Sequence, residues 1–239
     1  MPNFVNITGS TGFSSAADPV HAVGQAAYTT DGRRFRYVQA GGSALVAGDA
    51  LQASAEDTDH DNITCRATEI GATSLLITTG SGGGALDANE YANGFAVTDF
   101  TTGLGYCYRI KSHAAISAST DGALELFPDD SIQVALTSSS KVTLAKNPYN
   151  DVIQMPASTL TNVIVGGCIY PIAASEYGWI QTGGPGACLI EDTPAVGQPL
   201  TVSDTVGALG VHSAELPNVA SMLVTGRDDR VLPVMWQLE

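Results

Sequence analysis

Along most of the chain, apolar and polar residues alternate over runs of four to eight positions. In "RFRYVQA" Phe35 and Tyr37 alternate with Arg34 and Arg36, and "GFAVTDF" and "YCYRIKSH" repeat the pattern. A period of two places successive side chains on opposite faces of a strand. Further short strand candidates are "ITCRATEI", "SLLITT", "LELF", "DVIQM", "NVIVGGCIYPIA", "YGWIQT", "ACLIE", "PLTVS", "ALGVHS", "ASMLVTG" and "RVLPVMWQL", separated by clusters of Gly, Pro, Asp and Ser. Strands at this spacing predict an all-β protein of sandwich or barrel type, built from many short antiparallel strands with very little helix. Residues that build amphipathic helices are sparse, and Thr, Val, Ser and Gly stand in their place.

Two runs read as a hairpin. In "SIQVAL" Ile132, Val134 and Leu136 alternate with Gln133 and Ala135, and after "TSSS" Val142 and Leu144 alternate with Lys141, Thr143 and Ala145. That pattern predicts two paired strands with one solvated face.

Residues 1–30 lack periodicity and read as an extended N-terminal arm, held loosely or ordered by a neighbour. The β-rich body, 31–239, divides into subdomains of about 31–146 and 147–239. An internal echo relates Tyr37–Leu51, "YVQAGGSALVAGDAL", to Trp179–Leu200, "WIQTGGPGACLIEDTPAVGQPL". Two copies are too few for a solenoid or propeller.

Charge narrows the function classes. Ten Lys and Arg against 24 Asp and Glu leave a formal charge of −14, without the basic footprint of a nucleic-acid-binding surface. No apolar run reaches the length of a membrane span, and the N-terminus lacks the cationic flank and apolar core of a signal peptide, so synthesis in a cytoplasm is expected. Cys65, Cys107, Cys168 and Cys188 have no zinc-ligand spacing and read as free buried thiols.

Motifs for chemistry are few. "GSTG" and "GSGGG" do not match a nucleophile elbow, and "TGSGGGALDANE" lacks the Lys and helix of a phosphate loop. His21, His60, His113 and His212 are far apart. "PDD" at Pro128–Asp130 and "RDDR" at Arg227–Arg230 are adjacent acids of a kind common in turns. "EDTDHDN" sets Asp57, Asp59 and Asp61 in the alternating order that opens a calcium loop. Asn62 stands where that loop needs Gly and Thr68 where it needs Glu, so Asp57, Asp59 and Asp61 form a weak cation candidate only. No cofactor, resident metal or catalytic set is expected.

"YTTDGRRFRYVQAGGSALVAGDAL", "ANEYANGFAVTDFTTGLGYCYRIKSHAA", "LELFPDDSIQVALTSSSKVTLAKNPYNDVI" and "YGWIQTGGPGACLIED" resemble, in this order, a family of structural proteins of tailed bacteriophages and their environmental relatives, of head-decoration or capsid-cement type. The resemblance runs from about Tyr28 to the C-terminal "RVLPVMWQL", and its most specific phrases are "GRRFRYV", "KNPYNDVI" and "YGWIQTGGP". It implies a non-enzymatic virion protein on the outer capsid surface with the major capsid protein as partner; self-association as a trimer is expected because three-fold positions on such shells present matching sites, and charge and hydropathy leave no nucleic-acid or membrane partner expected. It brings no catalytic residues. The alternatives are a tail or fibre component, a host-surface carbohydrate-binding module, and, third, a glycan hydrolase.

The scarce cations gather at Arg33, Arg34 and Arg36. On a strand Arg34 and Arg36 share one face and Phe35 and Tyr37 the other. A guanidinium fork suits a carboxylate of a neighbouring subunit or shell, so these arginines are candidate assembly contacts, the alternative being pairing with the chain's own acids. Trp179 is the remaining candidate: an interface anchor if exposed, a core residue if covered.

Overall fold

β-branched and aromatic residues in alternation form strands throughout the computed structural model, which describes residues 5–8, 10–82, 84–211 and 216–239. In chain order the strands are Val5–Asn6 (β1), Ser15–Ala16 (β2), Ala26–Tyr28 (β3), Arg34–Gln39 (β4), Ala50–Gln52 (β5), Ile63–Cys65 (β6), Ser74–Thr78 (β7), Phe95–Phe100 (β8) and Cys107–His113 (β9). There follow Asp121–Leu126 (β10), Lys141–Ala145 (β11), Ile153–Gln154 (β12), Ile164–Cys168 (β13), Tyr177–Ile190 (β14), Pro199–Val202 (β15), Ala208–Val211 (β16), Ala220–Met222 (β17) and Arg230–Gln237 (β18). The helical content among the described residues is two single 3-10 turns, Thr58–His60 and Pro128–Asp130. The protein is all-β, and no helix among the described residues is long and apolar enough to cross a membrane.

The chain forms two compact units, and their boundaries correct the expected subdomains: residues 56–147 form one, while 1–55 and 148–239 together form the other. The split at about 146/147 matches one boundary only, because β5 pairs with β12 and β13 rather than with strands that follow it closely. In the 56–147 unit, β10, β7, β6, β11, β8 and β9 pair in that order and close into a barrel, every pairing antiparallel. Closure leaves no exposed strand edge. Leu75, Ile77, Tyr108, Ile110, Leu124 and Val142 fill its interior.

The discontinuous unit is one sheet organised around β14, whose first half pairs with β4 and whose second half pairs with β18. The sequence reads this stretch as two strands broken at Gly183–Gly186, but it is one strand of 14 residues. The glycines make a bulge instead of a break: the β4 register shifts between Gln181 and Gly183, and Gly184 has φ +82°. The buried Gln181 amide donates to the carbonyls of Gly183 at 3.0 Å and Pro185 at 2.8 Å, holding the bulge.

Residues 5–30 are not an extended arm. β1 runs parallel to β3, β3 pairs with β4, and β2 pairs with the start of β14, while Ile7 and Ala27 are buried beside Phe35, Tyr37 and Trp179. Strands of two or three residues are too short to show a period, which hid them. The "SIQVAL"/"KVTLAK" hairpin is also absent: β11 pairs with β6 and β8, and Ser131–Leu136 is irregular chain except for a bridge from Leu136 to Thr68.

That bridge belongs to a recurring device. Leu45 bonds reciprocally with Ile172 (2.8 and 3.2 Å), Leu86 with Ile116 (2.8 and 2.9 Å) and Thr68 with Leu136 (3.1 and 2.9 Å). In five of these six segments the residue three positions on has positive φ: Gly48, Gly71, Asn89, Ser119 and Ser175. Each such segment turns the chain sharply, and residues tolerant of the left-handed region occupy the corner. The internal echo is a paired feature of the same sheet: Tyr37 lies opposite Trp179 across β4 and β14, and Gly48 and Gly197, both of positive φ, precede β5 and β15.

Candidate functional site

The β4 alternation places Phe35 and Tyr37 inside and leaves Arg34 exposed and Arg36 half-buried. The three arginines have different fates. Arg33 Nε meets Asp31 Oδ2 at 2.9 Å, and the Thr29 hydroxyl and Arg33 hold the Asp31 carboxyl down at about 2. Arg36 donates from Nε to Glu239 Oε1 at 2.8 Å and from Nη1 to the Gly24 carbonyl at 2.8 Å, with its guanidinium 5.4 Å from the Tyr149 ring centroid. Arg34 makes no ion pair among the described residues. Local pairing therefore accounts for Arg33 and Arg36, and Arg34 is the cation of this strand left facing solvent.

Trp179 is 2% exposed and packs against Tyr37 (centroids 5.0 Å apart) and His21 (5.1 Å). It is a core residue of the β4–β14 pair, so in the single chain its indole offers no surface to a partner. Exposed apolar side chains lie elsewhere, notably Phe100, Leu104 and Tyr106 around the β8–β9 turn.

The acidic loop is rearranged relative to its sequence reading. Asp57 caps the Thr58–His60 turn by accepting from the Asp59 N–H at 3.1 Å. Asp59 and Asp61 do not converge with it. Among the described residues, the side chains that bring three ligand-type atoms within 4.8 Å of one another are Asp57, His60 and Glu90. His60 is 1% exposed, with Nδ1 2.5 Å from the Tyr91 hydroxyl and 3.4 Å from Asp57 Oδ2, and Nε2 3.2 Å from the Ala85 carbonyl. Glu90 pairs with Lys146 Nζ at 2.8 Å and accepts the Asp87 N–H at 3.1 Å. His113 lies on the other side of Tyr91, its Nε2 accepting the Tyr91 N–H at 3.1 Å. His212 lies outside the described residues.

Sequence reasoning missed Glu90, Tyr91 and Lys146 because nothing linear links them to "DTDHD" some thirty and eighty residues away. It also missed Asp49, a buried carboxylate whose partner is the Gln154 amide at 2.5 Å. Burial pushes Asp49 up to about 6 against that hydrogen bond. The four thiols are free. Cys65, Cys168 and Cys188 are buried, whereas Cys107 is exposed, against expectation, because it shares the outward face of β9 with Arg109 and Lys111. Burial raises Cys65 to about 11 and Cys168 to about 12, which makes both poor nucleophiles.

A pocket of about 310 Å³ opens in the discontinuous unit, lined by Phe13, Gly48, Cys168, Gln181, Ala187 and Val231 with Arg33 beside them. Its lining holds no acid or histidine, and the Cys168 thiol is protonated at neutral pH. The geometry therefore supplies a cluster of ionisable side chains at His60 and, on the broad sheet, an exposed cation of β4, Arg34, that makes no ion pair among the described residues. No family model matches the chain, and no curated protein and no solved structure matches it either.

Proposed function

We propose that the chain is a non-enzymatic virion protein that covers the outer surface of an icosahedral phage head and reinforces the shell, assembling with copies of itself as a trimer at three-fold positions. The observation that carries this reading is the ordered run of phrases from Tyr28 to the C-terminus that resembles head-decoration proteins. The fold supports it: a closed barrel and a large sheet offer stiff, wide surfaces, suited to many weak contacts rather than to one deep cleft. Arg34 supplies a guanidinium for an acidic neighbour, at the strand where the chain concentrates its cations.

The test is electron microscopy of intact particles with and without this protein, with copy number counted. Hundreds of copies on the head and a shell that disrupts more readily without them support the reading. A few copies at the tail would replace it with a tail or fibre role. Glycan binding by the isolated chain, with no attachment to heads, would replace it with a host-surface module; the exposed Phe100 and Tyr106 are the aromatic platform such a module would use.

A further inference from the structure

We propose that Asp57, His60 and Glu90 form a binding site for one divalent transition-metal ion of the zinc type. The tautomer of His60 suits a metal ligand. A backbone carbonyl only accepts, so the 3.2 Å contact to Ala85 places the ring proton on Nε2 and leaves the Nδ1 lone pair facing the cluster. Histidines that bind metals are oriented in this way, one ring nitrogen donating to a carbonyl while the other ligates.

The spacing of the carboxylates suits one as well. Asp57 Oδ2 lies 3.4 Å from Nδ1, longer than an ordinary hydrogen bond. Two ligands bound tetrahedrally at 2.0–2.1 Å are separated by about 3.3–3.4 Å, so this gap matches a zinc ion once the Tyr91 hydroxyl leaves Nδ1. Glu90 lies within the same 4.8 Å group. Its carboxylate is already oriented by Lys146 Nζ and the Asp87 N–H, one on each oxygen, and each oxygen retains a lone pair. The Tyr91 hydroxyl donates to Nδ1 when no ion is bound and stands close enough to add an oxygen once it turns away.

The surroundings favour a cation. Two carboxylates, Asp57 and Glu90, stand beside the buried imidazole. Lys146 offsets one of these charges. An imidazole in the ligand set selects zinc-like ions over calcium or magnesium, which prefer all-oxygen sites. This site is not the alternating Asp57–Asp59–Asp61 loop, since Asp59 and Asp61 lie outside the group. Its effect is mechanical: it ties the turn that leads into β6 to the turn before β8, both within the barrel unit.

The test uses the full chain, stripped with chelator and titrated with zinc by calorimetry, with cobalt as a spectroscopic probe. The expected result is one saturable site per chain, tetrahedral visible bands with cobalt, and a melting temperature that rises with zinc. Asp57→Asn keeps the N-cap, because Asn caps as well as Asp, and should weaken zinc at least about tenfold. Asp59→Asn should leave the affinity unchanged. Absence of saturable zinc uptake by the wild-type chain overturns the proposal. So does equal weakening by the two variants, which marks a diffuse acidic loop, or full zinc affinity in Asp57→Asn, which places the ion elsewhere. Calcium binding abolished by Asp59→Asn would overturn it in favour of an oxygen-only loop.

Discussion

Tyr37 and Trp179 face each other across β4 and β14 with ring centroids 5.0 Å apart and planes 63° to one another. This edge-to-face pair, with Phe35 beside it, closes the core over which residues 5–30 fold back. Trp179→Ala should cost about 3–5 kcal/mol through the lost area and the cavity left behind, and Trp179→Phe much less. Denaturant unfolding followed by tryptophan emission measures both, and a surface-like loss below about 0.5 kcal/mol would contradict the burial.

Arg36 and Arg34 lie on the same face of β4, yet their substitutions should differ. Removing the Arg36 guanidinium takes the charged partner from Glu239, which keeps the Thr182 hydroxyl, and a donor from the Gly24 carbonyl, so Arg36→Ala should cost about 1–2 kcal/mol after allowance for partial exposure. Arg34→Ala should stay within about 0.5 kcal/mol. If Arg34 is an assembly contact, its variant loses attachment to heads while keeping its melting temperature. Unchanged attachment would remove Arg34 from that role.

Asp49 should make stability depend on pH. Its folded value of about 6 lies above the ordinary 3.8. Between about pH 4 and 6 the folded chain thus holds a proton that the unfolded chain has released, and this group's contribution falls as pH rises through that window. Above it the buried charge costs at most about 3 kcal/mol. Asp49→Asn, with the Gln154 amide flipped to accept, should raise the melting temperature at pH 7.5 and change little at pH 4. Parallel pH profiles for variant and wild type would show that Asp49 titrates normally.

Gly167 tests the packing of β13 against β18 strands directly. A Cβ there would lie 2.3 Å from Cζ2 of the buried Trp236. Gly167→Ala should therefore cost about 1–3 kcal/mol by overpacking and shift the emission of Trp236. An unperturbed variant would mean that the indole has room to move.

Legibility in the sequence followed the range of the interactions. Alternation along "RFRYVQ" revealed β4 and its two faces, since side-chain direction on a strand is a local consequence of the pleat. The corner segments were readable in principle: Leu45-Val46-Ala47-Gly48, Leu86-Asp87-Ala88-Asn89, Ile116-Ser117-Ala118-Ser119 and Ile172-Ala173-Ala174-Ser175 share an aliphatic start, an alanine and a turn residue. Read as a repeated corner, they would have marked where strands end and cross. "SIQVAL" misled because Ile132 and Leu136 are buried by irregular chain, which alternation alone does not distinguish from a strand.

By itself the sequence determined that this protein is all-β, lightly charged and strongly acidic overall, and that β4 presents arginines on one side and aromatics on the other. These follow from residue type and from contacts a few positions apart. Tertiary structure alone decided that residues 1–55 join 148–239, that six strands close into a barrel, that Arg36 is held by Glu239 while Arg34 stands open, and that His60 meets Glu90. Those outcomes rest on backbone pairing and side-chain approach between segments tens to hundreds of residues apart, where many partners satisfy the same local pattern and only mutual packing selects one.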